Sequence, residues 1–309
     1  MSRQANDKLG LIRLIRELSA PLPPMPAGVS PELVCLDGVR AVIFDVYGTL
    51  FVSGSGDVDS AAAAPAALEA ALAGAGFRAI GPDGAERALA IFKDAIMREH
   101  RAMKAAGADR PEVDILEIWR DCLSAMKNAG RLAGRITPRA VTRLAAGYEC
   151  RANPAWPMPG LADTLAGLRA AGMILGIVSN AQFYSPLLFD ALLRHAPAEL
   201  GFEPALTLWS YMEREAKPSA RMFVKLTGAA ERGFGLRPRD MIFVGNDMLN
   251  DIAPAQAAGM RTALFAGDGR SLRMRGDHAA CRAVKPDLVL GGLADLPRCL
   301  GADQAGAHV

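Results

Sequence analysis

No apolar run in this sequence is long enough to cross a bilayer. The longest, near residues 41–44 and 173–178, fall far short of the roughly 20 residues a spanning helix needs. Neither sign of charge is in excess: 35 Lys and Arg stand against 33 Asp and Glu, net +2, so there is no basic field to hold nucleic acid. Cysteine is scarce, with five at positions 35, 122, 150, 281 and 299. The number is odd and no pair has CxxC spacing, which reads as a reduced chain with neither a zinc site nor a disulfide framework. The four histidines, at 100, 195, 278 and 308, lack metal-ligand spacing. The N-terminus MSRQANDKLG lacks the basic start, apolar run and cleavage site of a signal peptide, so we expect a cytoplasmic protein. Three motifs are also missing. No GxxxxGK[ST] phosphate loop occurs, no GxGxxG follows the first strand, and no GxSxG elbow carries a serine nucleophile. Aromatics are only 6% of residues while Ala and Gly abound, so helix contacts should be close and small.

What is present is a globular composition, 51% hydrophobic and 22% charged over 309 residues, ample for one large or two modest domains. Residues 1–20 form an amphipathic helix with Leu11, Leu14, Ile15 and Leu18 on one face. The proline-rich PLPPMPAG (21–28) follows as an extended linker. We read this arm as packed on the domain surface, with a homodimer built through it as the alternative. RAVIFD (40–45) is a buried parallel strand ending in an acid. Residues 60–150 are Ala-rich, helical in period and poor in strand signal. The Gly-rich SGSGD (53–57) and Pro154, Pro157 and Pro159 flank them like hinges. From 160 onward helices alternate with strands at 173–179, 205–209, 241–245, 261–265 and 287–290. That alternation predicts an α/β fold with a doubly wound, mostly parallel sheet and an inserted helical domain. The divisions are 1–38 for the arm and linker, 39–57 and 155–309 for the α/β core, and 58–154 for a helical cap.

Ligands of an open α/β sheet bind outside the carboxyl ends of its strands. Four polar clusters sit there. Asp45, in DVYGT with Tyr47, Gly48 and Thr49, ends the first strand. Ser179 and Asn180 end the second, Lys217 before Pro218 follows the third, and Asn246, Asp247, Asn250 and Asp251 follow the fourth in GNDMLND. Singly, each has an ordinary explanation: a loop aspartate, a helix cap, a solvated lysine. Their order after successive strands is what the ordinary explanations leave out.

Together these motifs resemble those of the haloacid dehalogenase superfamily over roughly residues 40–300, with the insert similar to its helical cap. The resemblance implies a hydrolase in which the Asp45 carboxylate attacks the substrate and forms a covalent aspartyl intermediate. Gly48 would allow a tight turn, and Thr49 and Ser179 would supply hydroxyl donors. Lys217 would hold Asp45 and the developing charge in place. Tyr47, Gly48 and Asn180 would face the substrate, a small molecule. Asp45, Tyr47, Asn246 and Asp251 would surround a magnesium ion, which prefers oxygen ligands.

The pattern departs from the family's phosphatases at two places. Tyr47 stands where a second Asp usually protonates the leaving oxygen, help typically worth ~10²–10⁴ in rate. Asn246 stands where the first metal-binding Asp is found, and Asp247 next door compensates only if the turn presents it inward. We expect a magnesium-dependent phosphatase acting on a small phosphomonoester. One alternative is a metal-independent 2-haloacid dehalogenase, on Tyr47 and the Ser179–Asn180 pair. Its anion clamp would have to be Lys93 or Arg98, which read better as a solvated cap face. The other is a non-catalytic binding module on the same scaffold. Arg270, Arg273 and Arg275 read as a solvated basic turn, with an anion clamp as the alternative.

Overall fold

The computed structural model describes residues 3–55 and 65–301. The expected boundary between residues 57 and 58, with the end of the SGSGD hinge, lies outside the described residues.

Helix α1 (Arg3–Leu18) opens the chain. Strand β1 (Ala41–Phe44) is followed after a tight turn by β2 (Phe51–Ser53). The cap comprises α2 (Pro65–Gly74), α3 (Gly84–Ala105), α4 (Ile115–Asn128) and α5 (Pro138–Ala152), with the short strands β3 (Arg78–Ala79) and β4 (Leu132–Ala133) paired between them. Asp114 caps α4 by accepting from Leu116 N, and Thr137 caps α5 by accepting from Ala140 N, with Pro138 in the first turn. The chain returns through β5 (Ala155–Pro157), antiparallel to β2, so Ser53 and Pro157 of the expected hinges lie in a small ribbon. Three-residue strands carry no readable period, which is why the ribbon was not foreseen.

The core then runs α6 (Leu161–Ala170), β6 (Ile174–Ser179), α7 (Ser185–Leu188), β7 (Phe202–Trp209), α8 (Ser210–Glu213) and α9 (Ala220–Phe234). It ends with β8 (Met241–Gly245), α10 (Ala253–Ala257), β9 (Arg261–Phe265), β10 (Leu288–Leu290) and α11 (Asp295–Cys299). A π-helix follows α7 over Phe189–Leu193, and another precedes α10 over Met248–Ile252. The six core strands form one parallel sheet in the order β10-β9-β8-β1-β6-β7.

Both faces of this sheet are buried, which explains the near-continuous apolar strands. Val42, Phe44, Ile177, Val244 and Phe265 pack on one face, and Ala41, Ile43, Val178, Met241 and Phe243 on the other. A third cluster, around Leu68, Trp119, Leu123 and Leu144, belongs to the cap. Helix α1 joins two of the three: Leu14 is buried with the cap cluster, and Ile15 with the core. Below it the linker is tied to the core, with Met25 N donating to Asp268 Oδ1 at 2.9 Å and Arg270 Nη2 to Pro23 O at 2.8 Å. Among the described residues, no helix is long and apolar enough to cross a membrane.

Candidate active site

β1 is flanked in the sheet by β6 and β8, so the segments leaving those three strands meet at one carboxyl edge. Asp45 continues β1, and its N–H donates to Val244 O on β8 at 2.9 Å. Its Oδ1 lies 2.8 Å from Lys217 Nζ. The same ammonium lies 2.5 Å from Asp251 Oδ1. Lys217 is buried, so the lysine before Pro218 is the link between two acids rather than a solvated surface residue. Asn180 secures it. Its Oδ1 accepts from Lys217 N at 2.7 Å and its Nδ2 donates to Lys217 O at 3.1 Å.

The electrostatics follow from two buried carboxylates sharing one ammonium. Burial works against the charge on Lys217, but Asp251 and Asp45 overcome it and hold its pKa above the ordinary value. Burial raises the Asp251 carboxyl, and Asp45 and Asp247 add to the rise against the pull of Lys217.

Gly48 makes the turn after Asp45 with φ +80°, and its N–H donates to Phe51 O at 2.6 Å. A Cβ at this position would stand 2.5 Å from Ser271 Cβ and 2.8 Å from Asn246 Nδ2. Thr49 Oγ1 donates to Asn246 Oδ1 at 3.1 Å. Ser179, fully buried at the end of β6, has its Oγ 3.5 Å from Asn180 O. The Tyr47 hydroxyl pairs with Ser185 Oγ at 2.9 Å. Burial and the nearby Glu149 raise its pKa well above the ordinary value, so it is a neutral hydroxyl at pH 7.

Asp247 does not turn inward. It accepts from Leu249 N at 2.8 Å and Asn250 N at 3.3 Å at the head of the π-helix, and it pairs with Arg275 Nη2 at 2.7 Å. These bonds go to the π-helix and to Arg275, and none of them goes to Asn246. Arg270 reaches the linker carbonyl of Pro23, and Arg273 donates to Arg270 O and Leu272 O of its own turn. These bonds tie the basic turn to the linker and to its own backbone. Lys93 and Arg98 are exposed on α3.

Several participants carried no sequence signal. Ser271 O accepts from Asn246 Nδ2 at 2.6 Å, a contact through a backbone atom that no motif records. Glu149, raised in pKa by burial, accepts from Tyr184 Oη at 3.0 Å. The cap loop before α4 grips the core just ahead of Lys217. Ala216 N donates to Arg110 O at 2.7 Å, and Glu112 accepts from Ser210 Oγ at 2.7 Å and Gln182 Nε2 at 3.0 Å.

The donor set suits a hard cation without matching a full acidic triad. Among the described residues no group of three or more His, Cys, Asp or Glu could hold a metal. The side-chain oxygens at this edge are instead those of Asp45, Asp251 and the Asn246 amide. Ser271 O can only accept, so the amide nitrogen faces it, and the amide oxygen, which accepts from Thr49 Oγ1, keeps a second lone pair for a cation.

A parallel sheet under a helical cap, with an acid–lysine–acid cluster at its carboxyl edge, defines a capped Rossmann-like α/β fold with a candidate catalytic centre. Residues 39–259 match the family described as haloacid dehalogenase-like hydrolase, and the chain belongs to that family. It is 31% identical to a phosphoglycolate phosphatase of Photorhabdus laumondii, over 72% of this chain and 79% of that protein. It is 29% identical to a phosphoglycolate phosphatase of Escherichia coli, with the same shares covered. The solved 2-haloacid dehalogenase of Pseudomonas syringae pv. Tomato superposes with a TM-score of 0.53 at 22% identity, over 85% of this chain and 98% of that one, which is a likeness of fold.

Proposed function

We propose that this hydrolase is a magnesium-dependent phosphatase acting on a small phosphomonoester through Asp45. The observation that carries the reading is the buried Lys217 ammonium between Asp45 and Asp251, in a chain similar to phosphoglycolate phosphatases. Asp45 attacks phosphorus as the ester P–O bond breaks and the alcohol departs with a proton from solvent, and water then attacks the aspartyl phosphate, releasing phosphate and restoring the carboxylate. Lys217 holds the Asp45 carboxylate at the carboxyl edge through their 2.8 Å contact, and Asn180 positions Lys217 through its backbone. Asp45, Asp251, Asn246 and Tyr47 would hold the cation. When bound, it would withdraw charge from the phosphoryl oxygens. The cap would close over the crevice and exclude water.

Phosphate release should be measured over a panel of small phosphomonoesters, with magnesium and with chelator. Turnover should require magnesium and fall roughly 10³-fold or more in Asp45→Asn. A wild-type enzyme inert across the panel sinks the reading.

A second reading, removal of halide from a 2-haloacid without metal, is favoured by one observation. Tyr47 is a neutral hydroxyl where a phosphatase acid would stand, and halide leaves without a proton. Halide release that persists in chelator would select it.

A further inference from the structure

Asn246 leaves β8 beside the Asp45 turn and is buried together with Thr49 and Ser271. Its Nδ2 donates to Ser271 O at 2.6 Å, and its Oδ1 accepts from Thr49 Oγ1 at 3.1 Å. Ser271 is held against it by backbone bonds. Arg273 N donates to Asn246 O and Met248 N to Arg273 O, both at 2.9 Å, while Ser271 N donates to Asp268 O at 3.1 Å. The third side of the amide is closed by Gly48, which leaves no room even for a Cβ.

We propose that the Ser271 carbonyl is a positioning group that locks residue 246 as an amide, presenting a neutral oxygen to the cation and rejecting aspartate. A carboxylate in this place would set one of its oxygens against the Ser271 carbonyl oxygen, two acceptors with no proton between them. In water such a contact is screened, but in a buried pocket it costs the full desolvation of the charge. The asparagine is thus fitted to its surroundings, and the centre works with two carboxylates. The cation half of this inference rests on the phosphatase reading; the amide lock does not.

The test compares full-length wild type with Asn246→Asp and Asn246→Ala. In chelator at pH 8, Asn246→Asp should melt about 4 °C or more below wild type and also below Asn246→Ala, which loses the same bonds without adding repulsion. In calorimetric titration with MgCl₂, Asn246→Asp should gain less than tenfold in affinity despite its extra charge. An Asn246→Asp protein that melts with wild type in chelator overturns the lock. One that binds magnesium more than tenfold tighter overturns the cation half. Wild type that binds no magnesium defeats the phosphatase reading and the cation half together, and the chelator melts still decide the lock. Should Asn246→Asp fail to fold, nitrogen-15 spectra of wild type serve instead. The Asn246 side-chain amide, assigned by its loss in Asn246→Ala, should be shifted downfield and protected from exchange. An unprotected amide overturns the lock.

Discussion

Residue by residue, the centre is held together by charge more than by packing. Lys217 Nζ contacts Asp45 and Asp251 while almost out of solvent, so its removal would leave two buried carboxylates facing each other. Breaking a buried pair by deleting one partner typically costs about 3–5 kcal/mol. Lys217→Met should therefore lose about that much in urea unfolding at pH 8 in chelator. The loss should shrink at pH 5, where Asp251, raised by burial to about 7, can take up a proton. A loss independent of pH would contradict this account of the cluster. Ser271 teaches a different lesson. Its Oγ is buried and has no hydrogen-bond partner among the described residues, yet its carbonyl holds Asn246. Ser271→Ala should leave the melting temperature of wild type unchanged or slightly raised, since the working atom belongs to the backbone.

Among elements, the grip of the cap on the core is concentrated in the loop before α4. Glu112 N donates to Arg214 O at 3.2 Å, and Arg110 N donates to Glu215 Oε1 at 2.9 Å. Burial pushes the Glu112 carboxyl up to about 7, against bonds from Ser210, Val113 and Gln182 and the charge of Arg214 that lower it. A raised carboxyl means that the folded chain keeps a proton the unfolded chain has released. Stability from this group is then complete below about pH 4.5 and is lost as pH rises through about 7. The melting temperature of wild type should decline across that window, and Glu112→Gln should flatten the decline. Parallel profiles for the two proteins would refute the assignment. The elements also show why some were legible and others were not. β1 and β8 are apolar runs buried on both faces and bounded by turns, so their sequences mark them out. β7 starts at Phe202, three residues before its apolar run, because Glu203 and Pro204 hide its start. Both are tolerated on an edge strand whose outer side meets solvent.

At the scale of the whole molecule, α1 binds the two halves together. Leu14 is buried in the cap cluster and Ile15 in the core cluster, and Arg16 Nε donates to Ala191 O at 3.0 Å. Ile15→Ala should cost about 2–5 kcal/mol in denaturant unfolding, as expected for a fully buried aliphatic side chain. A cost below about 0.5 kcal/mol would mean that the arm does not share the fold's cooperativity. The sequence by itself determined the alternation of strands and helices, and with it the four polar clusters on one edge. In a parallel sheet every strand end opens to the same side, so order along the chain becomes position in space. Tertiary structure alone decided how those clusters pair: that Lys217 joins Asp45 to Asp251, that Asp247 turns away to Arg275, and that a serine carbonyl 25 residues on holds Asn246. Such pairings depend on distances between neighbouring strand ends and on backbone atoms, and neither leaves a spacing that a sequence can display.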